Sequence, residues 1–182
     1  MSQGWAVFIS GRGSNLQTLL SVQNLKKIKL VVSNKKDVAG VRKARRFGIP
    51  VIFMNQTVGF EEISRQLRRF KITHIFLLGF MKLVPASFIE NFKGFIINLH
   101  PSLLPLHKGL HAIENSHADQ CSMGISIHYV NEQMDEGEVI LQRVTVGHLK
   151  KSDFNRDSFL ISLTEQFWTR HLFLKWNLNE KI

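Results

Sequence analysis

The chain has 182 residues, of which 44% are hydrophobic and 21% charged, an ordinary globular composition that suits a single domain, 1–182, around one core. Its lone cysteine, Cys121, excludes an internal disulfide framework and sits in a polar stretch with no activating motif, so it reads as a bystander. No apolar run approaches the ~20 residues of a membrane span, and the first five residues lack the basic and apolar regions of a secretory signal. A cytoplasmic location with no membrane partner is expected.

In chain order, Trp5 to Ile9 is a short apolar run closed by Ser10 and two nearby glycines, the pattern of a buried strand. Asn15 to Leu20 begins a helix, and Ile28 to Val32 is a second strand. Val38, Val41, Ala44 and Phe47 recur at helical spacing with a basic outer face, and Gly48 ends that helix. Pro50 to Met54 is a third strand, and Phe60, Ile63, Leu67 and Phe70 mark the next helix. A strand at His74–Leu78, a helix at Pro85–Phe92 and a strand at Phe95–Asn98 follow. This alternation predicts an α/β fold: a mostly parallel, twisted sheet with helices on both faces. The rhythm then changes. Met123–Val130 and Val139–Val146 predict an antiparallel edge hairpin, and Ser158–Trp176 a last amphipathic helix with Phe159, Leu163, Phe167 and Leu174 near one face.

The formal charge of +10 is concentrated. Lys26 to Lys71 holds 13 basic and 3 acidic residues, and the remaining 11 of each sign cancel. Solvated helix faces are one reading, and attraction of anionic ligands another. Aromatics are not interleaved with these charges, which argues against a nucleic-acid partner.

Three features carry candidate chemistry. Ser10-Gly-Arg-Gly13-Ser14-Asn15 joins a strand to a helix, where backbone N–H groups and the helix dipole meet anions. Gly13, Ser14 and Asn15 are therefore candidate phosphate ligands, although Ser14 also suits a plain N-cap. Leu16 stands where a dinucleotide fingerprint needs its third glycine. Secondly, Asn98 and His100 are two apart at the end of an apolar strand, so both side chains point to one face, at the carboxyl edge where open α/β sheets bind ligands. An amide donor beside an imidazole suits a reaction that develops a negative oxygen; strand-end capping is the plain alternative. Thirdly, Asp135 lies in the turn between the last two strands, where a carboxylate near His100 would favour the imidazolium. No residue cluster has metal-site spacing, so no metal is expected.

Ser-Gly-x-Gly-Ser-Asn-Leu-Gln, Leu-Gly-Phe-Met, Asn-x-His-Pro-Ser-Leu-Leu-Pro, Lys-Gly-Leu-His and Met-Asp-x-Gly-x-Val-Ile-Leu-Gln occur here in that order. From residue 5 to about 146 the chain resembles the phosphoribosylglycinamide formyltransferases, folate-dependent enzymes of purine synthesis. The resemblance implies a formyltransferase fold, 10-formyltetrahydrofolate as co-substrate and glycinamide ribonucleotide as acceptor. It implies that Gly13, Ser14 and Asn15 hold the substrate phosphate, and that Met81, Lys82, Leu83, Val84, Asn98, Asn131, Glu132, Gln133, Met134 and Asp135 line the folate site. Asn98, His100 and Asp135 would be catalytic, with His100 the proton donor and Asp135 raising its pKa; His128 matches a supporting histidine. Glu165 would contact the acceptor. The implied partners are small molecules, and a homodimer stays open.

The chain also departs from the family. Phe60 stands where a folate-contacting arginine is usual, Ser162 and Gln166 replace a glutamine and a histidine of the last helix, and the loop after Pro105 is about one residue short. These changes bear on the acceptor more than on the reaction, so transfer to another amine, such as an amino sugar, is the alternative. A non-catalytic anion- or nucleic-acid-binding module is the reading from another class.

Overall fold

The structure, a computed structural model, describes residues 4–22, 27–147 and 153–177. Residues 1–3 of the N-terminal reading and Lys26 of the basic segment lie outside them. The described residues form seven strands and six helices, grouped into two compact units that divide between Ile97 and Asn98.

The first unit contains β1 (Trp5–Ile9), α1 (Ser14–Leu20), β2 (Ile28–Ser33), α2 (Ala39–Arg46), β3 (Val51–Phe53), α3 (Phe60–Arg69), β4 (His74–Leu78), α4 (Ala86–Asn91) and the start of β5 (Phe95–His100). The strand order is β3-β2-β1-β4-β5, with β1 parallel to both β2 and β4, and β2 parallel to β3. Every residue of β1 and β4 is buried. That explains the apolar run of β1 and, after His74, that of β4, because a central parallel strand is covered on both faces. Helices α1 and α2 pack together, and so do α3 and α4. The order reverses between β1 and β4, and such a reversal leaves a crevice at the carboxyl ends of the two strands. The loops that follow them are tied by the Met81 N–H, which donates to Ser10 Oγ at 2.8 Å.

The predicted basic helix is α2. Val41 and Ala44 are buried, while Arg42, Arg45 and Arg46 face solvent. Phe47, expected on its inner face, is exposed instead, because the helix ends at Arg46 and Phe47 is its C-cap.

The second unit takes the end of β5, then α5 (Ala112–Ala118), β6 (Met123–Tyr129), β7 (Val139–Val146) and α6 (Phe154–Asn177). Here β6 follows β5 in the strand order, and β7 pairs with β6 antiparallel, as the predicted hairpin requires. Helix α5 was not expected: it is seven residues long and buries only Ala112 and Ser116. Helix α6 begins at Phe154, ahead of the predicted Ser158, and its orientation corrects the sequence reading. Ile161, Thr169, Leu172 and Phe173 form the packed side, whereas Phe159 and Phe167 are 61% and 60% exposed and Leu163 is also exposed. The helix is apolar on two sides, so periodicity alone did not select the inner one. No described helix is long and apolar enough to cross a membrane.

Gly13 shows why the first loop needs glycine. It adopts φ 65, and a Cβ there would lie 2.7 Å from the Cα of Gly40. A Gly13→Ala substitution is expected to lower stability by about 2–4 kcal/mol, combining left-handed strain with a backbone collision. Gly59→Ala, with open space around it and an ordinary φ, is the control and should leave the urea midpoint nearly unchanged.

Candidate active site

The site begins with alternation on β5. Ile97 and Leu99 point into the core, and Asn98 and His100 occupy the other face. The strand continues to His100, two residues beyond the predicted end. His128 comes from β6, and Asp135 from the loop 130–138 between β6 and β7.

These four side chains meet around the Asp135 carboxylate. Asn98 Nδ2 donates to Asp135 Oδ1 at 3.1 Å, and the Gly109 N–H donates to Oδ2 at 2.8 Å. His100 Nδ1 is 3.4 Å from Oδ2, and His128 Nε2 is 3.4 Å from Oδ1. Asn98 Nδ2 also lies 3.2 Å from His128 Nε2. Asp135 has φ 55, a left-handed conformation that aspartate tolerates better than most residues, and its hydrogen bonds hold it there. In the same loop, a Cβ at Gly137 would collide with the Tyr129 carbonyl, which explains the glycine of the Met-Asp-x-Gly pattern.

The backbone carbonyls assign the histidine protons. The His107 carbonyl is 2.9 Å from His100 Nε2 and the Tyr129 carbonyl is 2.7 Å from His128 Nδ1. A carbonyl only accepts, so each of these nitrogens carries hydrogen. Neutral His100 therefore turns a bare Nδ1 towards Asp135, and His128 turns its Nε2 towards both Asp135 Oδ1 and the Asn98 amide.

Burial sets the protonation of His100. It lowers the pKa more than the His107 carbonyl and the Asp135 charge raise it, and the charge of His128 lowers it further. The expected contribution of Asp135 is present, but the net shift is downward, so the resting imidazole is neutral near pH 7. For Asp135, burial alone would raise the pKa; the His128 hydrogen bond, the Gly109 N–H and the two nearby imidazoles outweigh it and hold the carboxyl below its ordinary value.

A cavity of about 290 Å³ adjoins this cluster, lined by Leu104, Pro105, Lys108, Asp135, Glu136, Gly137 and Val139. Lys108 Nζ spans to Glu136 Oε1 at 2.8 Å, joining the loops on either side of it. Of the predicted folate residues, only Asp135 lines this cavity; Asn131, Glu132, Gln133 and Met134 are exposed along the loop. In the first unit Met81, Lys82 and Leu83 are exposed, and Val84 is buried in the core.

Gly13 is the N-cap of α1, so Ser14 is the first helical residue and not the cap. Ser14 is exposed and Asn15 buried. Lys43 Nζ donates to the carbonyls of Arg12 and Gly13 at 3.1 and 3.2 Å, which places a cation on this loop. Sequence reasoning did not find that lysine, nor the His107 carbonyl and Gly109 N–H. Lys108-Gly109 lay within a recognised motif, but main-chain roles leave no side-chain signature.

The departures are packed rather than vacant. Phe60 lies edge-on to Phe88 with ring centroids 4.9 Å apart. Gln166 Nε2 donates to Ser162 Oγ at 3.2 Å, so the two replaced residues bond each other. Glu165 lies between them in sequence on α6, half-buried. Among the described residues no group of His, Cys, Asp and Glu suits a metal ion.

A family model described as formyl transferase matches residues 4–152, across both units. The chain belongs to the formyl transferase family. The phosphoribosylglycinamide formyltransferase of Haemophilus influenzae is 36% identical over 148 residues, covering 75% of this chain and 70% of that protein. The trifunctional purine biosynthetic protein adenosine-3 of Drosophila pseudoobscura pseudoobscura is 39% identical over 150 residues, and there the match spans only 11% of the relative's length. The crystal structure of phosphoribosylglycinamide formyltransferase from Anaplasma phagocytophilum has a TM-score of 0.90 at 31% identity, covering 98% of this chain and 89% of that one.

The proton assignment is testable by ¹⁵N NMR of the imidazoles. Near neutral pH His100 should show the Nε2–H tautomer and titrate below the ordinary histidine value. Asp135→Asn removes a charge that raises the pKa, so the midpoint should fall further. An Nδ1–H tautomer, or a midpoint that rises in the variant, contradicts the assignment.

Proposed function

We propose that this chain transfers the formyl group of 10-formyltetrahydrofolate to the amine of glycinamide ribonucleotide. The observation that carries the reading is the buried carboxylate–imidazole–amide cluster of Asp135, His100 and Asn98, in a chain of this family.

In this reading the acceptor amine attacks the formyl carbon, giving a tetrahedral centre with a negative oxygen and a positive nitrogen. Nδ1 of His100, bare at rest, takes the excess proton from that nitrogen. The imidazolium so formed is stabilised by Asp135 on one side and the His107 carbonyl on the other. Asn98 gives up its contact with the His128 ring to donate to the negative oxygen, because a charged acceptor binds an N–H more strongly. The carbon–N10 bond then breaks, and His100 returns the proton to N10 as tetrahydrofolate leaves.

Gly13, Ser14 and Asn15 are assigned to the acceptor phosphate, supported by the N-terminal N–H groups of α1 and by Lys43. Glu165 is assigned to the acceptor amine region. The remaining folate residues, Met81 to Val84 and Asn131 to Met134, keep their assignment from the family resemblance; exposed apolar Met81, Leu83 and Met134 suit an aromatic ligand. Residues 1–182 are read as one formyltransferase domain, acting in the cytoplasm on small molecules. A different amine acceptor is the second reading, favoured by the Ser162–Gln166 pair.

The deciding experiment is turnover with both substrates. His100→Ala should lower it by about 10²–10⁴, the range for a positioned acid–base group. Asn98→Ala should lower it by about 10²–10³, as for an aligned oxyanion donor. Asp135→Asn should also be impaired, and the His100/Asp135 double variant less than additively so, since both serve one proton transfer. Near-normal turnover of His100→Ala defeats the mechanism. Formyl transfer to an amino sugar but not to glycinamide ribonucleotide favours the second reading.

A further inference from the structure

A cavity of about 110 Å³ opens between β7 and α6, on residues that the proposed reaction does not use: Leu141, Arg143, Trp168, His171, Leu172 and Lys175. Two periodicities build it. Leu141 and Arg143 alternate onto one face of β7, and Trp168, His171, Leu172 and Lys175 follow the i, i+3, i+4, i+7 spacing of one helix face.

The lining combines basic nitrogen with apolar surface. The Arg143 guanidinium carbon lies 4.5 Å from the Trp168 ring centroid, and one of its nitrogens donates to the Gln142 carbonyl at 2.8 Å. Arg143 is exposed, so the rest of its five-donor fork is solvated and open to a ligand. His171 packs against Trp168 and Phe167, with ring centroids 5.1 and 6.0 Å away. Its ring nitrogens make no hydrogen bond to a described residue. No aspartate or glutamate lines the cavity, while Leu141 and Leu172 supply buried apolar walls.

We infer that this cavity is a second ligand site, for a small aromatic carboxylate. A planar guanidinium fork matches a carboxylate in two hydrogen bonds, and its stacking on the indole holds the fork in place. The imidazole adds a further donor. An inorganic ion would leave Leu141, Leu172 and the indole unused, and a neutral ring would gain nothing from the guanidinium, which would stay with water. At about 110 Å³ the cavity is smaller than the ~150 Å³ that encloses benzene alone, so it takes at most one small ring, with part of the ligand lying in its open mouth.

Trp168 provides the readout. Benzoate, titrated into the native full chain, should change tryptophan fluorescence with saturation near or below about 1 mM, with benzyl alcohol and inorganic phosphate at least about tenfold weaker. Arg143→Gln should weaken benzoate about tenfold with formyl transfer unchanged, and Lys175→Gln should weaken it less. His100→Ala should bind benzoate as the native chain does; a loss there would put the ligand at the proposed active site and overturn the inference. Absence of saturation, equal binding of benzyl alcohol or phosphate, or unchanged affinity in a folded Arg143→Gln also overturns it. Should Arg143→Gln fail to fold, the three-ligand comparison on the native chain decides.

Discussion

The second unit is organised around one buried carboxylate. Asp135 accepts from the Asn98 amide and the Gly109 main chain and faces two imidazoles, and these partners come from β5, the loop after it and β6. A buried charge without partners costs several kcal/mol, so the segments are not independently free to move. The loop near Gly109 must present an N–H, the turn at Asp135 must hold a left-handed backbone, and β5 must end with Asn98 and His100 on the face of Asp135. The exposed Lys108–Glu136 pair joins the same two loops, but a solvated pair contributes only about 0–1 kcal/mol. The buried hydrogen bonds, not the surface ion pair, fix the geometry.

The same burial acts in opposite senses on the two titrating partners. It lowers the pKa of His100 despite the neighbouring carboxylate, while at Asp135 the accumulated donors overcome it. The result is a neutral imidazole beside a charged carboxylate. Such a pair can accept a proton at Nδ1 without first losing one, and the carboxylate compensates the charge only when it appears. In the proposed reaction, a group already protonated at rest would serve the oxyanion but not the attacking amine.

Much of this was legible in the sequence, for physical reasons that differ by element. β1 and β4 read clearly because strands covered on both faces have no polar interruptions. Asn98 and His100 were paired by the two-residue period of a strand. Asp135 was found as a turn residue, but its contact with His100 depends on the path of a loop, which no period describes. Helix α5 escaped notice because two buried residues do not make a pattern. The inner face of α6 was misassigned because Phe159, Leu163 and Phe167 form as regular a stripe as Ile161, Thr169 and Leu172. The direction of the His100 shift was unreadable, since it depends on burial outweighing a charge whose proximity was itself unknown.

The departures from the family pattern follow the same division between centre and periphery. Asn98, His100, His128 and Asp135 satisfy one another, so replacing any one leaves a buried polar group unpaired, which costs about 1–3 kcal/mol or more where charge is involved. Phe60, Ser162 and Gln166 lie outside that network and carry no such constraint. Phe60 joins an aromatic contact with Phe88, and Gln166 finds Ser162 one helical turn away, so each change closes on a local partner. In the proposed reading, a periphery that can be repacked locally can alter which acceptor is recognised without disturbing the mutually dependent centre.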